Sequence, residues 1–409
     1  MDENVPELRF PEFDGEWEYK KLSDVCSIQM GQSPSSTNYT ENPDDTILIQ
    51  GNADLIHGKV IPRIYTKEIT KNSEPNDIIM TVRAPVGDLA INNYYACIGR
   101  GVCSIKGDTF VYYLLEFVKG KNTWNKYSQG TTFEAISSSD VKSLKVSIPS
   151  SQEQNKIASF LSKVDEKIGK LEEKQQLWET YKKGIMQQIF NQKLRFKDEN
   201  GEDYPEWEEK DFGQIFHFIS TNSFSREKMN GGPGKIRNIH YGDIHTRFPS
   251  ILDFESVEVP FINDDVDLSR MKPENYCQNG DLVIADASED YEDIGKAVEL
   301  KNVNNKKVLG GLHTLLARDE TGLSQEGYKG YMMLDNNVKI QMKKLATGIS
   351  VLGISKGNLG KVKINLPTPA EQNKIANFLS AIDEKIKEVN KELELNTEFK
   401  KGLLQKMFC

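Results

Sequence analysis

The chain has few of the features that mark secreted or membrane proteins. Its 409 residues include only five cysteines, an odd number with no CxxC pair, so free thiols in a reducing compartment are expected rather than a disulfide framework. No run of 18 apolar residues occurs, and the sequence therefore offers no candidate membrane span. The first residues are acidic and polar, unlike a secretory signal. These absences predict a cytoplasmic protein.

Catalytic motifs are also missing. No Asn/Asp-Pro-Pro-aromatic tetrapeptide, as an amino-methyltransferase would need, occurs, and there is no GxxxxGK[ST] phosphate loop. His240 and His245 lack cysteine companions at zinc-ligand spacing, and the acidic segment 289–293 is typical of a solvated loop. The triplets 165–167 and 383–385, both Asp-Glu-Lys, superficially resemble a nuclease metal motif, but we interpret them as solvated faces of helices. We therefore predict no catalytic residue, no metal site and no cofactor in this chain.

Basic charge is in deficit as well. The chain has 52 Lys and Arg against 61 Asp and Glu, which gives a net charge of −9 at pH 7. Nucleic-acid-binding domains usually carry basic patches, so this balance argues against a chain that binds DNA over a broad surface. DNA binding would need local basic loops, or a partner that supplies positive charge.

A long internal repeat is the main feature that the sequence does contain. Residues 153–190 and 371–408 align without a gap at an offset of 218, and 19 of the 38 aligned positions are identical. The tract 8–18 likewise resembles 194–208, whereas little similarity is found between these shared ends. The pattern predicts one scaffold written twice, carrying two different recognition surfaces.

Both copies of the repeat have the apolar spacing of a coiled coil. Apolar residues recur at alternating steps of 3 and 4, interrupted by Lys182 and Lys400. Helices with so apolar a stripe need a partner, so we predict that the two pack on each other. Two amphipathic helices packed separately on globular domains would give the same pattern. The predicted pairing residues are Ile157, Leu161, Val164, Ile168, Leu171, Trp178, Ile185, Ile375, Leu379, Ile382, Ile386, Val389, Leu393 and Leu403.

These patterns together predict an α+β fold with two globular domains and two long helices, packed as an antiparallel coiled coil with pseudo-twofold symmetry. Short β-type runs such as 78–82, bounded by Gly, Pro, Asn and Asp, fill the block interiors. The same symmetry predicts that Phe408 ends beside Leu8. The predicted segments are domain 1 at 1–150, helix 1 at 151–192, domain 2 at 193–368 and helix 2 at 369–409.

The repeated segment also carries a recognisable family pattern. The motif P-x₃-EQ-x-KIA-x-FL-x₃-DEKI follows a strand in both copies. Together with GDLVIA at 280–285 and TVRAPVGD at 81–88, this motif resembles the specificity subunit of type I restriction–modification systems. The resemblance covers essentially the whole chain and is strongest in the helices and block edges.

The resemblance implies a DNA-reading subunit without chemistry of its own. Each block would be a target recognition domain that reads one half of a bipartite, asymmetric site in double-stranded DNA. The helices would set the distance between the halves and hold two methyltransferase subunits, through which restriction subunits join the complex. S-adenosylmethionine, ATP and magnesium would belong to those partners. Alternatives are a subunit of a methylation-only or related type II complex, a two-headed protein-interaction scaffold, or an enzyme acting alone.

Loops at strand ends offer the side chains that read bases in a DNA groove. In block 1 these are the loop 30–40, polar residues near 50, and two arginines. In block 2, segment 286–288 is predicted to stand where 83–85 stands, and His313 near the place of Arg100, so the two half-sites should differ. The predicted DNA-contacting residues are Gln32, Ser33, Ser35, Ser36, Asn38, Tyr39, Gln50, Asn52, Arg83, Arg100, Ser223, Lys235, Arg237, Asn238, His240, Tyr241, Asp286, Ser288 and His313.

Overall fold

The computed structural model describes residues 4–127, 135–349 and 351–409, and in it the chain divides into two compact units. Unit 1 combines Met1–Glu173 with Asn390–Cys409, and unit 2 is Lys174–Val389. Each unit therefore contains one globule together with a part of both long helices. The compact units differ in this respect from the predicted segments, whose boundaries fall at the helix ends.

The globule of unit 1 is mainly β-structure. Its helices are α1 (Leu22–Val25), α2 (Thr109–Gly120) and α3 (Ser138–Ser143), and the long helix α4 (Ser151–Phe190) begins in this unit. Its strands are β1 (Glu18–Lys21), β2 (Ser27–Met30), β3 (Tyr39–Thr40), β4 (Thr46–Ile49), β5 (Leu55–Ile56), β6 (Lys59–Val60), β7 (Tyr65–Thr66), β8 (Asn72–Ser73), β9 (Ile78–Thr81), β10 (Leu89–Ile91), β11 (Ala96–Ile98), β12 (Val102–Lys106) and β13 (Lys145–Ile148).

Two larger sheets make up this globule. One has the order β2-β12-β9-β10-β6-β5 and the other the order β3-β7-β4-β11-β8, while β1 and β13 form a separate antiparallel pair. Strand β9 is buried at all four positions, which fits its three consecutive apolar residues before Thr81. Met80 in β9 lies opposite Cys103 on one side and Leu89 on the other, so β9 is a central strand.

Unit 2 repeats this plan with different lengths. Its helices are α5 (Phe212–Ile215), α6 (Tyr241–Thr246), α7 (Lys329–Met332), α8 (Asn336–Leu345) and α9 (Lys356–Leu359), and α10 (Pro369–Met407) begins here. Its strands are β14 (Glu208–Asp211), β15 (Phe216–Ile219), β16 (Met229–Asn230), β17 (Ile236–Ile239), β18 (Ile251–Asp253), β19 (Phe261–Ile262), β20 (Leu282–Ala285), β21 (Ala287–Ser288), β22 (Ala297–Lys301), β23 (Lys307–Gly310), β24 (Thr314–Asp319), β25 (Leu352–Gly353) and β26 (Lys363–Leu366).

The sheets of unit 2 correspond to those of unit 1. The order β15-β24-β20-β22-β18 matches the first sheet and β16-β19-β17-β23 the second, with β14-β26 in the place of β1-β13. A further pair, β21-β25, lies beside the loop that follows β20. The shared strand order shows that the two globules keep one scaffold although little of their sequence matches.

Both long helices begin with the same capping arrangement. The hydroxyl of Ser150 accepts a hydrogen bond from the backbone of Glu153 at 3.4 Å, and Thr368 does the same for Glu371 at 3.4 Å. A capping hydroxyl satisfies a backbone N–H that has no partner inside the helix. A proline directly follows β13 and another follows β26. Because proline has no backbone N–H to donate, it ends the strand before the helix begins.

Antiparallel pairing of the helices is confirmed inside each unit. In unit 1 the first part of α4, with Ile157 and Leu161, shares a core with Met407 near the end of α10. In unit 2 the order is reversed, because Ile189 near the end of α4 shares a core with Ile375 at the start of α10. All fourteen predicted pairing residues are buried or half-buried. The helices also pack on the globule of each unit, so both arrangements considered from the sequence occur together.

The prediction that Phe408 ends beside Leu8 is also confirmed. The backbone N–H of Leu8 donates to the carbonyl of Lys406 at 2.8 Å. The ring of Phe408 packs edge-on against Trp17, with the ring centroids 6.1 Å apart. Among the described residues no helix is both long and apolar enough to cross a bilayer.

Candidate nucleic-acid interface

Six of the ten residues predicted to contact DNA in block 1 line a single cleft in unit 1. The cleft has a volume of about 460 Å³ and lies where the loops after β2, β4, β9 and β11 meet. Its lining is Ser33, Pro34, Ser36, Tyr39, Gln50, Gly51, Arg83, Arg100 and Gly101. Residues from four separate stretches of sequence thus come together in one cleft.

Close backbone contact builds the floor of this cleft. A Cβ atom on Gly31 would lie 2.1 Å from the carbonyl oxygen of Gly99, and one on Gly101 would lie 2.0 Å from that of Gln50. Only glycine allows the chain to approach so closely. The hydroxyl of Ser33 accepts a hydrogen bond from the backbone of Arg100 at 3.1 Å, which fixes the loop that carries this arginine.

The charged groups of the cleft are two arginines. Arg83 and Arg100 are exposed, and neither guanidinium forms a hydrogen bond or ion pair with any residue that the structure describes. Arg63, in contrast, lies 3.5 Å from the carboxylate of Asp54. The side-chain nitrogen of Gln50 is buried and likewise has no hydrogen-bond partner in the described part of the chain. The cleft therefore presents free hydrogen-bond donors.

The other predicted residues of block 1 lie outside this lining. Gln32 and Asn52 are exposed on neighbouring loops. The backbone N–H of Ser35 and the amide of Asn38 both donate to the carboxylate of Glu68, at 3.1 and 2.6 Å. Ser35 and Asn38 thus already have partners within the protein, which leaves them fewer free groups for a base.

Backbone hydrogen bonds fix which residues of unit 2 occupy the same positions. In unit 1 the N–H of Val82 donates to the carbonyl of Gly101, and in unit 2 Asp286 donates to His313 in the same way. Asp286 therefore stands at the position of Val82, and the predicted match of segment 286–288 to 83–85 was wrong by one residue. Ala287 takes the place of Arg83.

The corresponding surface of unit 2 carries three rings in contact with one another. The ring centroids of His240 and Tyr241 lie 4.7 Å apart, and those of Tyr241 and His313 5.3 Å apart. The imidazole Nδ1 of His313 lies 3.2 Å from a carboxylate oxygen of Asp286. Burial, and to a lesser degree the charge of Arg226, lowers the pKa of His240, which keeps its ring neutral at pH 7.

Sequence reasoning missed the ion pair beside these rings. Both terminal nitrogens of Arg226 donate to the buried carboxylate of Asp243, each at 2.8 Å. This hydrogen-bonded carboxylate raises the pKa of Arg226. Arg226 occupies the position of Ser36, since both begin the short helical turn after the first strand of their sheet. An alignment of the two loops was the only signal in the sequence that could have drawn attention to Arg226.

Three predicted residues of block 2 are buried, namely His240, described above, and Asn238 and Ser288. Asn238 is fully buried, and its carbonyl accepts from the amide of Asn222 at 2.6 Å. Ser288 is buried too, and its hydroxyl exchanges hydrogen bonds with the backbone of Asp290 at 2.7 and 3.1 Å. Both side chains hold loops together, because a buried polar group must be paired inside the protein.

The remaining predicted residues of block 2 lie at other places. Ser223 and Lys235 are exposed on loops. The guanidinium of Arg237 lies over the ring of Phe261 at 4.6 Å and lines a separate cavity of about 300 Å³. The structure thus gathers His240, Tyr241, Asp286 and His313 but does not bring Arg237 to them.

Each globule is fixed to its helix by the same buried clamp. In unit 1 the guanidinium of Arg9 donates to both carboxylate oxygens of Glu153 at 2.8 Å, and Trp17 adds a hydrogen bond at 3.3 Å. In unit 2 Arg195 makes the equivalent pair with Glu371, at 3.2 and 2.9 Å. Trp207 donates to the same carboxylate at 3.0 Å. The repeated helix-start glutamate therefore anchors the repeated tract at the start of each block.

A second repeated cluster explains the lysines that interrupt the apolar stripe. In unit 1 the carboxylate of Asp165 accepts from the hydroxyl of Tyr113 and pairs with Lys400, both at 2.8 Å. In unit 2 Asp383 does the same with Tyr331 at 2.6 Å and Lys182 at 2.5 Å. These aspartates belong to the triplets that we interpreted as solvated; about a third of each carboxylate side chain is exposed, but the sequence did not predict their pairing with lysine and tyrosine.

Glu116 adds a third charge to the cluster of unit 1, at a position where unit 2 has Leu334. Burial raises the pKa of Glu116, and the ammonium of Lys400, 2.8 Å away, opposes this rise. Burial alone would lower the pKa of Lys400, but the charge of Glu116 and the hydrogen bonds to both carboxylates raise it. The lysine is therefore charged and serves as a link between the two helices and the globule.

Comparison with known proteins agrees with this architecture. The family model described as the type I restriction modification DNA specificity domain matches residues 14–179 and again 204–397. A putative type I restriction enzyme MjaX specificity subunit of Methanocaldococcus jannaschii is 36% identical over 191 residues, which is 44% of each chain. The chain thus spans less than half the length of that relative.

Two further similarities extend over the whole chain. The type I restriction enzyme MjaVIII specificity subunit of Methanocaldococcus jannaschii is 24% identical over 98% of this chain and 94% of its own. The crystal structure of a type I restriction-modification system S subunit from M. genitalium covers 99% of both chains with a TM-score of 0.58 and 17% identity. The structural match supports the fold alone. Because two copies of the family domain account for most of the sequence, this chain belongs to the type I restriction–modification DNA specificity family.

Proposed function

We propose that this protein is the DNA specificity subunit of a type I restriction–modification complex. Each globule reads one half of a bipartite, asymmetric DNA site, and the chain performs no chemistry itself. One observation carries the proposal. The clamps and the Tyr–Asp–Lys clusters repeat in both units, whereas the loop surfaces differ, with an open arginine cleft in one unit and packed rings in the other.

The charge of the chain fits reading by loops rather than by a broad basic surface. Its net charge is −9, so phosphate neutralisation, which dominates DNA affinity, must be shared with a partner. The guanidinium groups of Arg83 and Arg100, which have no partner among the described residues, supply local positive charge in one cleft and support this proposal. A subunit that provides sequence specificity needs such local hydrogen-bond donors, while the assembled complex provides the remaining affinity for DNA.

The partners in this proposal are two methyltransferase subunits, with restriction subunits joining through the assembled complex. Support comes from the apolar surface that the helices leave exposed. In unit 2 a groove of about 530 Å³, lined mostly by apolar atoms, runs along both helices beside Trp178. Leu177 and Tyr181 at its edge are 62% and 48% exposed. Exposed apolar patches of this kind mark protein interfaces.

Catalytic groups and cofactors then belong to the partners. S-adenosylmethionine would be bound by the methyltransferase subunits, and ATP and magnesium by the restriction subunits. This chain would work in the cytoplasm, where the DNA is. Its own residues would supply the base contacts and the platform for assembly.

The test is adenine methylation mapped across the genome with and without this gene. We expect one bipartite motif with two different half-sites to disappear when the gene is deleted. The purified chain should transfer no methyl group from S-adenosylmethionine, and transfer should appear when the methyltransferase partner is added. Methyl transfer by the chain alone, or a continuous motif, would contradict the proposal.

A block exchange separates the two domains. Replacing residues 30–100 with the matching block of a relative should change one half of the motif and leave the other half as it was. A change in both halves would show that the domains do not read independently. A DNA cleavage assay with the assembled complex then distinguishes a restriction system from a methylation-only one.

A further inference from the structure

The cleft of unit 1 is a built site with an unusual set of free groups. Arg83 and Arg100 keep their guanidinium groups unpaired within the described residues, while Arg9, Arg195 and Arg318 elsewhere in the chain are held by carboxylates. Among the residues that the structure describes, the lining includes no Asp or Glu. Two arginines that meet no carboxylate among the described residues indicate a ligand that brings the acceptors itself.

The backbone that carries these groups is closely packed. The backbone N–H of Arg100 donates to the hydroxyl of Ser33, and the backbone at Gly101 lies so close to the carbonyl of Gln50 that no side chain fits between them. The buried Nε2 of Gln50 has two N–H donors and no partner in the part of the chain that is described. A buried donor without a partner destabilises the folded protein, so we expect the ligand to supply the acceptor.

The four bases differ in the hydrogen-bond acceptors that their edges present to such donors. In the major groove guanine presents two adjacent acceptors, N7 and O6, whereas adenine presents one acceptor beside a donor. A guanidinium fork matches the guanine edge with two parallel hydrogen bonds. A cleft that offers two guanidinium groups and an amide donor therefore fits guanine better than any other base.

Unit 2 lacks these groups at the same positions. Gly99 and Gly311 both donate from the backbone to the strand beside them, to Ile49 and Ile239 respectively, so the next residues, Arg100 and Leu312, are equivalent. Arg83 forms a backbone bridge to Ala135, and Ala287 forms the same bridge to Gly353. The two positions that carry arginine in unit 1 thus carry leucine and alanine in unit 2.

We propose that unit 1 reads a guanine in its half-site through Arg100, with Arg83 beside it, and that unit 2 reads no guanine at the equivalent place. This inference rests on the proposed function. It adds the base that is read and the residue that determines it. A phosphate group would satisfy the same donors, so the experiment must separate a base contact from a backbone contact.

The experiment uses the complex with its methyltransferase partner and duplexes that carry its methylated motif. Each guanine is replaced, one at a time, by 7-deazaguanine, which keeps the base pair but lacks the N7 acceptor. For the unaltered complex we expect one guanine, in one half-site, whose replacement weakens binding about tenfold. The Arg100→Ala complex should bind the unmodified duplex about tenfold more weakly and show no further loss at that guanine.

Arg100→Lys keeps the charge but not the fork, and is a second variant with the least risk to folding. It should lose discrimination at the same guanine while its salt dependence stays unchanged. Arg63→Ala is the matched control, because this arginine lies on the same globule outside the cleft lining and already pairs with Asp54. It should bind every duplex as the unaltered complex does.

Each other outcome has a definite meaning. If Arg100→Ala weakens binding equally for all duplexes and reduces the salt dependence, the arginine contacts phosphate and the inference is overturned. The inference also fails if neither half-site contains a sensitive guanine. Failure of the unaltered complex to prefer its motif over unrelated DNA would instead refute the proposed function, which keeps the two failures apart.

Discussion

Removal of the Glu153 carboxylate should loosen unit 1 and leave unit 2 intact. Glu153 is 1% exposed and accepts three hydrogen bonds, two of them from Arg9. Loss of one partner from a buried, hydrogen-bonded ion pair costs about 3–5 kcal/mol. The side chain of Arg9 is 14% exposed, so water can reach it in part and the lower end of this range applies. Glu153→Ala should thus destabilise unit 1 by about 3 kcal/mol, roughly a 150-fold change in its opening equilibrium.

Hydrogen exchange detected by mass spectrometry can resolve the two units. The reporters are the paired strands β1-β13 in unit 1 and β14-β26 in unit 2, each beside its own clamp. In Glu153→Ala, exchange in β1-β13 should accelerate by about two orders of magnitude, because local exchange follows the free energy of opening. Exchange in β14-β26 should not change. Glu371→Ala should give the mirror result.

The control is a surface ion pair of similar length in the same unit. Glu12 lies 2.8 Å from Lys156, but both side chains are about half exposed. Solvent screens such a pair, so Glu12→Ala should leave exchange almost unchanged. The reasoning is refuted if Glu153→Ala exchanges within about twofold of the unaltered protein, or if both units loosen to the same degree.

Three further predictions concern other parts of the chain. Lys400→Met should destabilise unit 1 by about 3–5 kcal/mol at pH 8, because it leaves two carboxylates without their cation. Urea unfolding should show that this loss shrinks toward pH 4. Burial raises the pKa of Glu116 in the folded state, so this carboxyl becomes neutral as the pH falls and then no longer needs a cation beside it. A loss that does not depend on pH would contradict this reasoning. Gly101→Ala should abolish motif binding by the complex, because its Cβ would meet a carbonyl at 2.0 Å, whereas Gly120→Ala, with nothing within 4 Å, should bind normally. Burial raises the pKa of the Cys26 and Cys103 thiols to about 12, so both should resist Ellman's reagent at pH 8 until the protein unfolds; rapid labelling of either would show that the core opens.

The repeat made much of the fold predictable from the sequence. Its apolar stripe predicted both long helices and their antiparallel pairing, and the structure ends α4 at Phe190, within two residues of the predicted end. Strand β20, Leu282–Ala285, coincides with the run that the sequence singles out as GDLVIA. Periodicity works in these segments because one face must be buried along their whole length.

Loop positions were less accessible to sequence reasoning. Asn238 and Ser288 are residue types that are common in surface loops. Both are nevertheless buried, because their side chains form hydrogen bonds with polar groups nearby. Asp286 was placed one residue away from its actual position, since only the hydrogen bond to His313 fixes the register. The pair between Arg226 and Asp243 joins residues 17 positions apart, a distance that no local pattern encodes.

The sequence by itself determined the plan of the protein, with one scaffold repeated at an offset of 218, two helices that need each other, and loops that differ between the copies. Only the tertiary structure decided how those loops are arranged, with a cleft in unit 1 whose arginines have no partner in the described part of the chain and with contacting rings in unit 2. The physical reason is that apolar burial repeats along the chain and can be read from it. The partners of a polar side chain come instead from distant segments, and only the folded chain brings them together.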